Sequence, residues 1–110
     1  MKDLSTRFTI AIIHRNGLHR LKGVLSSLLN NISDLDEVLI IDNASTDGSI
    51  KEIEQNEAYK NIRIIKNLCN TGYAYSCNQA MEAGNGKYFL LCNNDIALPK
   101  NCLDDFEKIF

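Results

Sequence analysis

Short apolar runs alternate with longer amphipathic ones along the chain. Phe8-Thr9-Ile10-Ala11-Ile12-Ile13 is rich in β-branched residues and is cut off by His14-Arg15-Asn16-Gly17, the pattern of a strand buried on both faces and ended by a turn. Beyond it, Leu18, Leu21, Leu25, Leu28, Leu29 and Ile32 recur at intervals of three and four, with Arg20, Lys22, Ser26 and Asn30 on the other side, which predicts an amphipathic helix. Val38-Leu39-Ile40-Ile41 repeats the buried-strand pattern and stops at Asp42-Asn43. The turn-forming stretch from Ala44 to Ser49 follows, so a second, short helix is expected to begin near Asp47 to Ser49, with Ser49 and Glu52 spaced as a capping box.

Ile62-Arg63-Ile64-Ile65-Lys66 predicts a third strand whose polar ends suit a sheet edge. From Thr71 to Ala83 small residues and the absence of proline predict a helix packed close to the sheet, ended at Gly84-Asn85-Gly86 by a positive φ. Tyr88-Phe89-Leu90-Leu91-Cys92 is the fourth strand, broken by Asn93-Asn94-Asp95. Pro99 is placed to start a last helix that turns Cys102, Leu103, Phe106 and Phe110 inward. Strand and helix alternate throughout, which predicts an α/β fold: a mainly parallel, four-stranded sheet with helices on both faces.

Composition adds limits. A chain of 110 residues closes one core and is too short for two independent domains. Its 45% apolar and 24% charged residues are those of a folded globular chain. The formal charge is −2, with no like-charge run of the kind that binds nucleic acid, although residues 31–60 hold eight acidic and two basic side chains. No apolar stretch approaches the roughly 18 residues that span a bilayer, and the first residues lack a signal-peptide core, so residence in the cytoplasm is expected. Cys69, Cys77, Cys92 and Cys102 fit neither the paired spacing of zinc sites nor a disulfide scaffold, and read as buried free thiols.

Candidate chemistry gathers at one edge. Parallel sheets bind ligands beyond the carboxyl ends of their strands, and three strands here end in polar groups: His14-Arg15-Asn16, Asp42-Asn43 and Asn93-Asn94-Asp95. Asp42 either opens a turn or accepts hydrogen bonds from a nucleotide's ribose or base. Asn93-Asn94-Asp95 is either an Asx turn or a set of hard oxygen ligands suited to Mg²⁺ or Mn²⁺, which take one or two protein carboxylates and fill their shells with phosphate and water. Asn70-Thr71-Gly72 precedes a helix whose free N–H groups point toward the same edge, where plain capping is the simpler account. His14 and His19 have no nucleophile and acid around them in sequence to make them catalytic, and His19 falls on the polar side of its helix.

Taken in this order, these residues resemble the nucleotide-sugar-binding half of a family 2 glycosyltransferase of the GT-A fold, of the rhamnosyltransferase-like kind. The resemblance runs from about Thr9 to Phe110. Its most specific part is Val38-Leu39-Ile40-Ile41-Asp42-Asn43-Ala44-Ser45-Thr46-Asp47-Gly48-Ser49, an apolar strand followed by Asp, Asn and a Ser-x-Asp turn. Asn70-Thr71-Gly72 with the later Asn78 is similar to the family's Asn-x-Gly helix, and Leu91-Cys92-Asn93-Asn94-Asp95 to its metal-binding D-x-D segment.

The resemblance implies that Asp42 and Asn43, Asn16, Asn70, Gly72, Asn78 and Asn94 bind a nucleotide diphosphate sugar. It implies that Asp95, aided by Asn93, holds a divalent cation, Mn²⁺ or Mg²⁺, against the diphosphate, and that the sugar passes with inversion to an acceptor hydroxyl on a glycan or lipid-linked molecule. Asn93 stands where many members have Asp, which puts the weight on Asp95; His14-Arg15 stands where many have a Pro-Thr-Tyr-like stretch. The family's acceptor site and general base lie downstream of the metal motif, so the chain reads as a truncated N-terminal part, a weak donor binder inactive alone, at the inner face of the membrane in a full-length protein. The competing expectation is a non-catalytic GT-A-like module for nucleotide binding or association, and an open sheet edge would favour a homodimer. A redox dinucleotide domain is disfavoured, because the first turn holds a single glycine, Gly17.

Overall fold

The computed structural model describes residues 5–94 and 98–109. Among these residues four strands and four helices alternate: β1 (Phe8–His14), α1 (Leu18–Leu29), β2 (Glu37–Asn43), α2 (Ser49–Glu54), β3 (Arg63–Asn67), α3 (Tyr73–Ala83), β4 (Tyr88–Asn93) and α4 (Cys102–Ile109), with a 3₁₀ turn at Glu57–Tyr59. All pairings are parallel and the strand order is β3-β2-β1-β4. The expected α/β sheet is therefore present, with β1 and β2 central. Their near-continuous apolar runs are the two that are buried on both faces, while β3 and β4 at the edges are half exposed.

Two cores flank the sheet. On one side Phe8, Ile10 and Ile12 of β1 and Val38 and Ile40 of β2 meet Leu21, Val24, Leu25 and Leu28 of α1, Ile50 and Ile53 of α2, and Cys102 and Leu103 of α4. On the other side Ala11, Leu39 and Ile41 meet Ala80 of α3. The alternation follows from the period of two along a strand. The chain runs outward through β1, β2 and β3 under α1 and α2, then returns across the opposite face through α3 to place β4 on the far side of β1. The reversal falls between β1 and β4, the switch point at which parallel sheets bind ligands.

Several local expectations are corrected. The strand at Val38 continues through Asn43, so Asp42 and Asn43 lie inside β2. Ser49 is the first helical residue of α2 rather than its cap; Gly48, in the left-handed region at φ 77°, precedes it, and Asp47 Oδ1 accepts the Ser49 N–H at 3.0 Å. The first helix ends at Leu29, and Ile32 packs on the core from outside it. Gly84 ends α3 with φ −76°, not a positive φ. Glycine is needed there because a Cβ would lie 2.7 Å from the Thr9 side chain, and at Gly86 because a Cβ would collide with the backbone of Thr9 and Phe8. Cys92 and Cys102 are buried thiols as expected, whereas Cys69 is exposed. Phe110 lies outside the described residues.

Candidate functional site

Two loops meet at the carboxyl end of β1 and β2 and are laced by hydrogen bonds. Asn16 and Gly17 both take left-handed backbone, φ 57° and 98°, which turns the chain sharply out of β1. That turn aims the Asn16 N–H at Ser45 Oγ (2.9 Å), the Thr46 N–H at Asn16 Oδ1 (2.8 Å) and the Gly17 N–H at Asp47 Oδ2 (2.7 Å). Arg15 Nη1 donates to the Asn43 carbonyl at 2.6 Å. The Ser45 hydroxyl donates to Asp42 Oδ1 at 2.5 Å. Asp42 is thus a buried acceptor oriented by its own loop, and Ala44 holds a left-handed φ of 58° between them. The Ser49 hydroxyl, then the Gly17 N–H, hold the Asp47 carboxyl down at about 2.

A second network joins the ends of β2 and β3 to α3. Asn43 Nδ2 donates to Ser76 Oγ (2.8 Å), and its Oδ1 accepts from Asn67 Nδ2 (2.9 Å) and Thr71 Oγ1 (3.1 Å). Asn67 and Gln79 exchange a pair of 2.8 Å bonds. Among the described residues no buried side-chain polar atom lacks a partner. Asn43 is buried and spends its carboxamide inside the protein.

At the end of β1 His14 is completely buried. Its Nε2 lies 2.9 Å from Ser49 Oγ and its Nδ1 3.2 Å from Asn94 Nδ2, which also donates to the Asn16 carbonyl at 3.3 Å. Burial pushes the imidazole pKa down; Asp42 and Asp47 pull it up, and Arg20 pushes it down. With a folded pKa below the unfolded value of about 6.5, the unfolded chain takes the proton first, so this contribution to stability is whole above about pH 6.5 and is lost as the pH falls toward the folded value. Melting curves between pH 7.5 and 5 should therefore show a falling midpoint in the native chain and a flatter profile in His14→Gln; identical slopes would contradict the assignment.

The structure brings Asn16, Asp42 and Asn94 to one edge. Asn70 accepts the Gly72 N–H at 3.1 Å and, with Gly72 at φ 84°, shapes the exposed turn into α3 at the same edge. Asn78 is exposed, two residues from each of the buried Ser76 and Ala80, and so on the side of α3 away from the sheet. Asn93 is exposed at the end of β4, paired in register with Ile13, and Asp95 lies outside the described residues. Among the described residues no three His, Cys, Asp or Glu side chains come together as a metal site. A cleft of about 340 Å³ lined by Ile32, Asp34, Asp36 and Asn61 opens at the opposite edge of the sheet, away from these groups. Sequence reasoning set His14 aside, and missed Ser49, Asn67, Ser76 and Gln79; the period of two that buries Ile10 and Ile12 on the α1 side was the signal that places His14 there as well.

A parallel sheet with carboxylate and carboxamide groups beside its point of reversal defines a Rossmann-like α/β fold. A model of the family described as glycosyl transferase family 2 matches residues 9–108, and the chain belongs to that family. An uncharacterized glycosyltransferase of Haemophilus influenzae is 34% identical over 77 residues, 68% of this chain and 24% of its own length. The fold is similar to that of S. aureus TarS 1-349 in complex with UDP, at a TM-score of 0.84 and 22% identity over 94% of this chain and 31% of that one. It is also similar to the mannosyltransferase PcManGT from Pyrobaculum calidifontis in complex with GDP-Man and Mn²⁺, at 0.78 and 20% over 92% and 32%. The chain thus spans about a quarter of the curated relative and about a third of the solved chains. Among the described residues no helix is long and apolar enough to cross a membrane.

Proposed function

We propose that this chain supplies the donor half-site of a cytoplasmic, inverting nucleotide-sugar glycosyltransferase and is inactive without an acceptor half. The observation that carries the reading is the gathering of Asn16, Asp42 and Asn94 at the carboxyl ends of β1, β2 and β4, in a chain matched to the family from residue 9 to 108. Asp42, pre-oriented by Ser45, accepts from the base or ribose; Asn16 and Asn94 line the diphosphate side; the turn at Asn70 and Gly72 closes the nucleotide's flank. Asn43 supports these groups from inside, and Asn78 makes no direct contact. The complexes of TarS with UDP and with UDP-GlcNAc, and of PcManGT with GDP-Man and Mn²⁺, support a nucleotide-sugar donor and a divalent cation.

Asn93 fits a cation's outer ligand, because it is a hard oxygen donor exposed at the end of β4. Asp95 would supply the carboxylate. A bound cation offers Lewis-acid stabilisation of the departing diphosphate. In the transfer itself an acceptor hydroxyl oxygen, on a glycan or a lipid-linked molecule, bonds to the anomeric carbon as the bond to the diphosphate breaks. The diphosphate keeps the electron pair, and the hydroxyl proton passes to a base outside this chain.

Calorimetric titration with UDP, dTDP and GDP, with and without Mn²⁺, tests the reading. One nucleotide should bind in a metal-dependent way, and Asp42→Ala and Asp95→Ala should each weaken it by about tenfold or more, the worth of one charge-assisted hydrogen bond or ligand. Absence of binding by all three, with self-association in sedimentation, would instead establish an association module using the open edge of β4.

A further inference from the structure

We propose that His14 is a positioning residue for the donor site: a neutral imidazole, protonated on Nε2, that holds the Asn94 carboxamide against the Asn16 backbone and ties it to the start of α2 through Ser49. The role of Asn94 rests on the proposed donor site; the hydrogen-bond direction does not. Asn94 presents one atom to two neighbours, the Asn16 carbonyl at 3.3 Å and His14 Nδ1 at 3.2 Å. A carbonyl oxygen only accepts, so that atom must be the NH₂ nitrogen and not the amide oxygen. His14 Nδ1 must therefore accept, which leaves the ring proton on Nε2. Nε2–H then donates to Ser49 Oγ at 2.9 Å, and the Ser49 hydroxyl proton is free to turn to Asp47.

The result is a one-way chain from the end of β4, through the fully buried ring on β1, to the first residue of α2. It spans the switch point. The alternative tautomer would set Nδ1–H against the Asn94 NH₂ and break the chain at that joint. Asn94 is also the residue that begins the turn out of β4, between Asn93 and Asp95.

Two side chains separate the halves of this role. Asparagine carries its oxygen the same number of bonds from Cα as His Nδ1, and glutamine carries its nitrogen where His has Nε2. His14→Asn keeps the acceptor for Asn94, and His14→Gln keeps only the donor for Ser49. NMR of the ¹⁵N-labelled chain should show His14 with a protonated Nε2 and a bare Nδ1. The Asn94 side-chain NH₂ should be protected from solvent exchange, about tenfold less so in His14→Gln, the equivalent of one lost hydrogen bond, and little changed in His14→Asn. Nucleotide affinity should follow the same order.

A Nδ1–H tautomer, or equal loss of Asn94 protection in the two variants, would overturn the proposal. If the native chain binds no nucleotide, the donor-site reading fails; the tautomer and the Asn94 exchange rates still decide whether His14 positions Asn94.

Discussion

Replacing Arg7 by alanine is expected to lower the free energy of unfolding by about 3–5 kcal/mol at pH 7, the cost of leaving a buried charge without its partner. The Arg7 fork grips Asp36 twice, Nε to Oδ1 at 2.9 Å and Nη2 to Oδ2 at 2.7 Å, and the Asp36 side chain is fully buried. Among the described residues, only the Phe8 and Ser33 N–H groups, at 3.2 and 3.0 Å, and the more distant Ser33 hydroxyl at 3.5 Å would remain to the carboxylate. Nη1 also reaches Asp104 at 2.8 Å and Glu107 at 3.4 Å, exposed residues on α4 whose share is small but whose loss frees that helix. Arg7→Lys should recover only part, since an ammonium cannot fork.

Burial pushes the Asp36 carboxyl up, but the Arg7 hydrogen bond and the Ser33 and Phe8 N–H groups outweigh it and hold the pKa below its usual value. The folded value is the depressed one, so this stability is complete above the unfolded carboxylate value of about 3.9 and is lost as pH falls through the folded value. Urea denaturation should show the deficit of Arg7→Ala narrowing in that acid range. A deficit under about 1 kcal/mol at pH 7, typical of a surface pair, would sink the argument.

Asn43→Ala should cost about 3 kcal/mol, because the hydrogen bonds that Ser76, Thr71 and Asn67 make to one buried carboxamide are lost at about 1 kcal/mol each. The damage should be directional. Hydrogen exchange should quicken first at the N-terminal turn of α3 and the end of β3, while the core of β1 and α1 stays protected. Uniform loss of protection, or a cost below about 1 kcal/mol, would mean that the network is not cooperative.

Much of this architecture was legible. The two longest β-branched runs, at Phe8 and at Val38, became the two central strands, because a strand covered by helices on both faces has no polar side to show. The polar groups ending three strands were legible as a ligand edge for the related reason that parallel connections send those ends to one side. What local pattern hid was the partner of each polar residue. Nothing local to Asp36, Asp104 or Glu107 points to a shared partner, yet Arg7 joins all three across sequence separations of 29, 97 and 100.

His14 shows the same division within the site. Its place on the buried side of β1 follows from strand period, and so belongs to the sequence. That it meets Ser49 and Asn94, 35 and 80 positions away, follows from the strand order β3-β2-β1-β4, which puts β4 beside β1 rather than beyond β3. By itself, then, the sequence determined the elements, the α/β class, the family and the edge that carries the chemistry, because these depend on hydrophobic period and short motifs. The tertiary structure alone decided which carboxamides are spent inside and which histidine nitrogen faces which partner, because hydrogen bonds are short, directional contacts set by packing between distant segments.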